Sequence, residues 1–184
     1  MSEISERYRK IAGQFTDRVE AVPVDAWDNP APCEGWVTRD IVHHLVEWIP
    51  GFFATYAGVE FTRGPSVHED PVAAWRAVDA SIVSALSDPD LAGREFDAPP
   101  GRVTLEQAVD MFCTGDILIH TWDLARAAGL DETLDRVEVE RALAGMQSID
   151  EDLLRNSGHY GPRVDVPADA DDQTKLIAFT GRHP

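Results

Sequence analysis

Apolar positions recur every three or four residues along most of this chain, with charged residues between them, and that period predicts amphipathic helices. Over residues 3–21 the apolar face is Ile4, Tyr8, Ile11, Phe15 and Val19. A second helix is expected to start at Thr38 as its cap, with Asp40 in the first turn facing the positive end of the helix dipole. Its stripe is Ile41, His44 with Leu45, Trp48 and Phe52, so His44 lies on or beside the core face. His43 is rotated about 100° away from it. Pro50-Gly51 predicts a kink or an end before Phe52, Phe53 and Tyr56.

Val72, Trp75, Val78, Ile82 and Leu86 mark a third helix. A fourth runs from a capping box, Thr104 with Gln107, to Ala128, after which Gly129 can take the terminating left-handed conformation. A weaker pattern from Val137 through Leu143 to Leu153 predicts a fifth helix ending near Asn156, and residues 169–180 a short last one closed by Gly181. Between the first two helices, three prolines, Gly35, Trp27 and Trp36 argue for an ordered loop with buried indoles. His68, His159 and Tyr160 fall in loops, where a polar surface role is the ordinary expectation. Only Arg163–Val166 hints at a strand, and it is too short to found a sheet. The expected fold is therefore all-α, a bundle of four long helices with additional C-terminal helical elements, in a single domain over residues 1–184.

The fourth helix carries an anomaly. Steps of four and three place Leu105, Val109, Phe112, Asp116, Ile119 with His120 beside it, and then Asp123 on its apolar stripe. A carboxylate buried without a partner would protonate, bind a cation or find a donor. Asp116 and His120 are four residues apart, so they leave the same helix face together. Packed helices lie about 8–10 Å apart, close enough for His44 to join them. Three protein ligands would leave a fourth position open, the mark of a catalytic rather than a structural zinc site. The alternative is a buried Asp116–His120 hydrogen-bonded pair with His44 as a satisfied core histidine; Asp40 and His44 show the same spacing.

Composition narrows the partners. The 184 residues carry 33 acidic against 16 basic side chains, a formal charge of −17, which disfavours nucleic acid and anionic membrane and leaves a small molecule or another protein. No apolar run is long enough to span a bilayer and the N-terminus lacks the features of a signal peptide, so a cytoplasmic protein is expected. Cys33 and Cys113 are too few for a disulfide framework or a cysteine zinc ribbon, which leaves metal binding to histidine and carboxylate.

The segment from Pro32-Cys33-Glu34-Gly35-Trp36 to Arg39-Asp40 and His43-His44-Leu45 resembles the first signature of the DinB-like superfamily, in particular the N-terminal domain of mycothiol-dependent maleylpyruvate isomerase. Asp116 four residues before His120, followed by Trp122-Asp123-Leu124-Ala125, resembles the second. The end of the chain, Val166 to Pro184, is similar to the closing segment of a family of small actinobacterial metal-binding proteins. The resemblance implies a DinB-type four-helix bundle holding a divalent metal, zinc or nickel, on His44, Asp116 and His120. At the position of Asp116 the isomerase has the longer glutamate, which leaves direct ligation and ligation through water both open. Asp123 is the candidate catalytic carboxylate, placed to orient His120 or a bound water; otherwise it would hold the guanidinium of Arg39 or Arg126. Trp122, rotated about 100° from it, is expected to pack.

The resemblance further implies thiol chemistry, with a low-molecular-weight thiol such as mycothiol as cosubstrate and an electrophile as acceptor. The isomerase has a further C-terminal domain, and the roughly thirty residues after the fifth helix are too few for one, so a metal-dependent thiol S-transferase is expected rather than the isomerase itself. The rival is a non-catalytic metal-binding or metal- and redox-sensing protein. An exposed apolar patch on such a bundle would suit a homodimer.

Overall fold

A computed structural model describes residues 2–99, 101–156, 158 and 160–184. The expectation for His159 therefore lies outside the described residues. The first three long helices are α1 (Glu3–Ala21), α2 (Thr38–Ala57) and α3 (Pro71–Ser87), and α4 (Pro89–Ala92) is a single turn. A hairpin of β1 (Glu95–Ala98) and β2 (Gly101–Thr104) follows, then a composite fourth rod made of α5 (Leu105–Ala108), a π-helical segment (Val109–Thr114) and α6 (Gly115–Ala128). The chain ends with α7 (Arg136–Gln147), α8 (Glu151–Asn156) and α9 (Asp172–Phe179).

Helix α1 packs between α3 and α6, and α2 packs against the same two helices from the other side. Tyr8, Phe15, Ile41, Leu45, Phe53, Trp75, Ile82 and Ile117 are almost wholly withdrawn from solvent in the core between them. The fold is the all-α bundle expected. Helices α2 and α6 are neighbours, which is the arrangement that brings His44 toward Asp116 and His120. No helix among the described residues is long and apolar enough to cross a membrane.

Several local expectations are corrected. Thr38 is the first residue of α2 rather than its cap: Val37 precedes the helix, and its N–H donates to Asp40 Oδ2 at 2.9 Å. Pro50 does not end α2, which continues to Ala57 before Gly58 turns left-handed. Ile49, Pro50 and Phe53 are buried on successive turns, and that packing outweighs the one backbone bond proline forgoes. The expected fifth helix breaks into α7 and α8 around Ser148–Asp150, because Ile149 and Leu153 find no core and stay exposed. The hairpin was not expected; its paired Phe96 and Val103 lie against the bundle, with Phe96 reaching Phe52 and Phe53 on α2.

The π-helical segment matters most for the site. Its wider turn carries the buried stripe from Leu105 and Val109 onto Cys113, Ile117 and Leu124 instead of Phe112 and Asp116. The Thr114 hydroxyl donates to the Val109 carbonyl five residues back, at 3.2 Å, and satisfies part of the widened turn. Phe112 and Asp116 are thereby moved to the flank that faces α2, where both are partly exposed.

Candidate metal centre

Each side of the centre is built locally. On α2, His44 and Trp48 are one turn apart and both point toward α6. The preceding loop is held by Thr38 N–H to Asn29 O at 2.9 Å, Ala31 N–H to Trp36 O at 2.9 Å, and Asn29 Nδ2 to Ala127 O at 3.1 Å. A turn from Cys33 O to Trp36 N, with Gly35 at φ +78°, then sets Trp36 over the histidines. Trp36 stacks on His120 with centroids 5.9 Å apart and planes 16° apart, and lies 5.2 Å from His44.

The carboxylate of Asp116 stands between the two imidazoles. His44 Nε2 is 3.3 Å from Oδ2, His120 Nε2 is 3.5 Å from Oδ1, and the Trp48 indole N–H donates to Oδ2 at 3.0 Å. One donor atom from each of His44, Asp116 and His120 lies within 4.8 Å of the others. Bonds of about 2.0–2.1 Å at tetrahedral angles put neighbouring donors about 3.4 Å apart, so these spacings suit a first-row divalent cation. The aspartate, although shorter than glutamate, reaches both histidines.

Behind His120 the arrangement is closed. His120 Nδ1 is 2.8 Å from Asp123 Oδ2, and Asp123, fully buried, accepts from Arg182 Nε and Nη2, each at 2.7 Å. Because an ionised carboxylate only accepts, the proton of this bond sits on Nδ1. A neutral His120 then turns the lone pair of Nε2 toward Asp116 Oδ1, and two acceptors face each other unless a proton or a cation lies between them. A charged His120 satisfies this contact with a proton and a neutral one would satisfy it with a divalent cation, and two imidazoles with one carboxylate are a donor set that suits such an ion.

Electrostatics agree with a strongly coupled cluster. Burial opposes the charge of Asp116, but His120 and the hydrogen bond with His44 hold its carboxyl below the usual range. Burial likewise opposes a charged His120, yet Asp116 and Asp123 keep its pKa above the ordinary histidine value. For Asp123 burial is again overcome, here by the bonds from His120 and Arg182.

Asp123 is thus placed against His120, and the guanidinium that it holds is neither Arg39 nor Arg126. Arg39 donates to Val67 O and faces Asp28, and Arg126 pairs with Glu132 while its guanidinium lies over buried Trp122. Two further residues, Cys33 and Arg182, complete the site; both lie in segments that resemble the family's, but nothing in their spacing singles them out. Cys33 Sγ is 3.6 Å from Asp123 Oδ2 and 3.4 Å from Arg182 Nη2. Cys33, His120 and Asp123 form a second compact donor group, but there a cation would have to displace the Arg182 guanidinium. Tyr160 is half-buried rather than a surface residue, and burial with the nearby charge of Asp116 raises its phenol pKa. His68 is exposed.

Fold and site together define a helical bundle with a histidine and carboxylate cluster between two of its helices. The family model described as the mycothiol maleylpyruvate isomerase N-terminal domain matches residues 8–125, and the chain belongs to that family. Two uncharacterised proteins of Mycobacterium tuberculosis, one from strain CDC 1551 / Oshkosh and one from strain ATCC 25618 / H37Rv, are each 26% identical to it over 185 residues, covering 95% of this chain and 95% of theirs. No solved structure matches significantly.

Proposed function

We propose that this chain binds a divalent metal, zinc or nickel, on His44, Asp116 and His120, and acts as a thiol S-transferase that joins a low-molecular-weight thiol such as mycothiol to an electrophile. The observation that supports the reading best is the convergence of three donors whose outer side stays open: the side chains of His44 and Asp116 are 31% and 28% exposed, whereas that of His120 is 5% exposed. When bound, the cation supplies Lewis-acid chemistry that favours a thiolate over a thiol. Asp123 keeps the proton of His120 on Nδ1 and leaves Nε2 free to ligate. The Trp48 N–H fixes one oxygen of Asp116. With Asp123, Arg182 and Cys33 closing the rear, small molecules approach across His44 and Asp116, between the indoles of Trp36 and Trp48. In this reading the two indoles flank thiol and electrophile, and holding both at one site removes much of the entropic cost of their encounter.

The test is cobalt substitution followed by thiol titration and a transfer assay. Addition of mycothiol is expected to change the visible spectrum of the cobalt protein, and thiol-dependent consumption of an electrophile such as 1-chloro-2,4-dinitrobenzene is expected to be lost in His44→Ala. A cobalt protein whose spectrum ignores every thiol contradicts the transferase and favours the sensing role.

A further inference from the structure

After α9 the side chain of Arg182 reaches back into the bundle. Arg182 Nε donates to Asp123 Oδ1 and Nη2 to Asp123 Oδ2, both at 2.7 Å, and the same Nη2 lies 3.4 Å from Cys33 Sγ. The side chain of Arg182 is 12% exposed and that of Asp123 not at all. A buried ion pair of this kind contributes little net stability, because the desolvation of both charges offsets most of their attraction. What the paired fork does provide is a fixed orientation of the carboxylate, whose other contacts are the 2.8 Å bond to His120 Nδ1 and the Cys33 thiol at 3.6 Å.

The tail is built to deliver that guanidinium. Gly181, at φ +91°, crosses Gly161 so closely that a Cβ on it would stand 2.7 Å from Gly161 Cα, a position open to glycine alone. Arg182 N–H donates to Ile177 O, and the His183 carbonyl accepts from Arg126 Nη1 at 3.0 Å. Arg126 is itself held by a two-point pair with Glu132. The backbone is therefore anchored on both sides of Arg182. The family match ends at residue 125, so Asp123 lies within the matched segment and Arg182, which holds it, outside.

We propose that Arg182 is a positioning residue: by fixing Asp123 it holds the ring of His120 with Nε2 turned toward Asp116 and His44, so that the end of the chain completes the centre. The effect on ring orientation stands without a metal; the effect on affinity rests on the metal reading above.

The experiment uses the full chain with imidazole nitrogen-15 labelling, as wild type, Arg182→Ala and Arg182→Lys. In the metal-free wild type the His120 Nδ1 proton is expected as a slowly exchanging downfield resonance. It is expected to broaden or vanish in Arg182→Ala and to be weakened in Arg182→Lys, which keeps the charge and loses the fork. Zinc affinity, measured by chelator competition, is expected to fall about 10–100-fold in Arg182→Ala and less in Arg182→Lys. Should Arg182→Ala fail to fold, Arg182→Lys carries the test alone. A protected Nδ1 proton that survives unchanged in the folded variant overturns the proposal. If the wild type binds no metal but the resonance responds as expected, the metal reading fails and the positioning role stands.

Discussion

The indole N–H of Trp48 donates a 3.0 Å hydrogen bond to Asp116 Oδ2, the same oxygen that His44 faces from one turn earlier on α2. One helix thus steers a carboxylate of the next. Trp48→Phe keeps an aromatic ring near Phe52 and removes the donor. Metal affinity is expected to fall roughly 10–100-fold, the usual consequence of losing a supporting hydrogen bond, with little change in melting temperature because Trp48 is only half-buried. Chelator competition measures the first and thermal denaturation the second. Unchanged affinity would mean that Asp116 is held without the indole.

A second polar pair predicts a pH dependence of stability. Buried Tyr8 donates to Asp79 Oδ1 at 3.0 Å, and burial raises the Asp79 pKa more than that bond and the charge of Arg9 lower it. The folded chain therefore keeps this proton to higher pH than the unfolded chain. Stability must decline as pH rises from the ordinary carboxylate pKa through the raised one. Asp79→Asn removes the slope, so the variant is expected to be more stable than wild type at about pH 7, with the gain shrinking toward about pH 4. Urea denaturation across that range decides; a gain that grows as pH falls would contradict the assignment.

The core contains a donor with one evident partner. Trp75 is fully buried, and its indole N–H donates to Thr16 Oγ1 at 2.8 Å. Thr16→Val preserves shape and removes the acceptor, at an expected cost of about 1–3 kcal/mol. Thr16→Ser should retain most of the lost stability. Equal destabilisation in both variants would assign the effect to the methyl group instead.

Cys33 sits at the centre without being an evident nucleophile. Burial, and after it the charge of Asp123, pushes its thiol pKa up to about 12. At about pH 8 roughly one thiol in ten thousand is then ionised. Iodoacetamide is expected to label Cys33 far more slowly in the native protein than in urea, as followed by peptide mass spectrometry. Rapid native labelling would mean that the thiol is neither buried nor paired as described.

Much of this architecture was legible in the apolar period. Tyr8, Ile11, Phe15 and Val19 of α1 and Trp75, Val78 and Ile82 of α3 are buried as their spacing predicts. The period puts His44 and His120 on or beside the facing sides of two helices, and the family resemblance is what joins them with Asp116 as one candidate site. Counting every turn as α-helical, however, puts Asp116 on the core stripe, whereas it lies on the flank that faces α2. The π-helical segment adds to the turn just before it, and such a widening depends on packing around Cys113 and Ile117 that no local pattern records. Arg182 lies 59 residues from Asp123, just past the short last helix, where no local pattern pairs it with a carboxylate of α6. The hairpin strands have four residues each, too few for an alternating pattern to stand out from a Pro- and Gly-rich stretch.

If His44, Asp116 and His120 hold one divalent ion, the protein carries it in a fixed ratio. The most direct test is elemental analysis of the full chain purified without a histidine tag, beside His44→Ala and His120→Ala. Near one equivalent of zinc or nickel is expected in the wild type and loss of it in both variants, with His44→Ala still folded because that side chain is 31% exposed. A wild type that carries no metal and takes up none when zinc or nickel is added would contradict a metal site, and Asp116 would then be a carboxylate held by two histidines and a tryptophan.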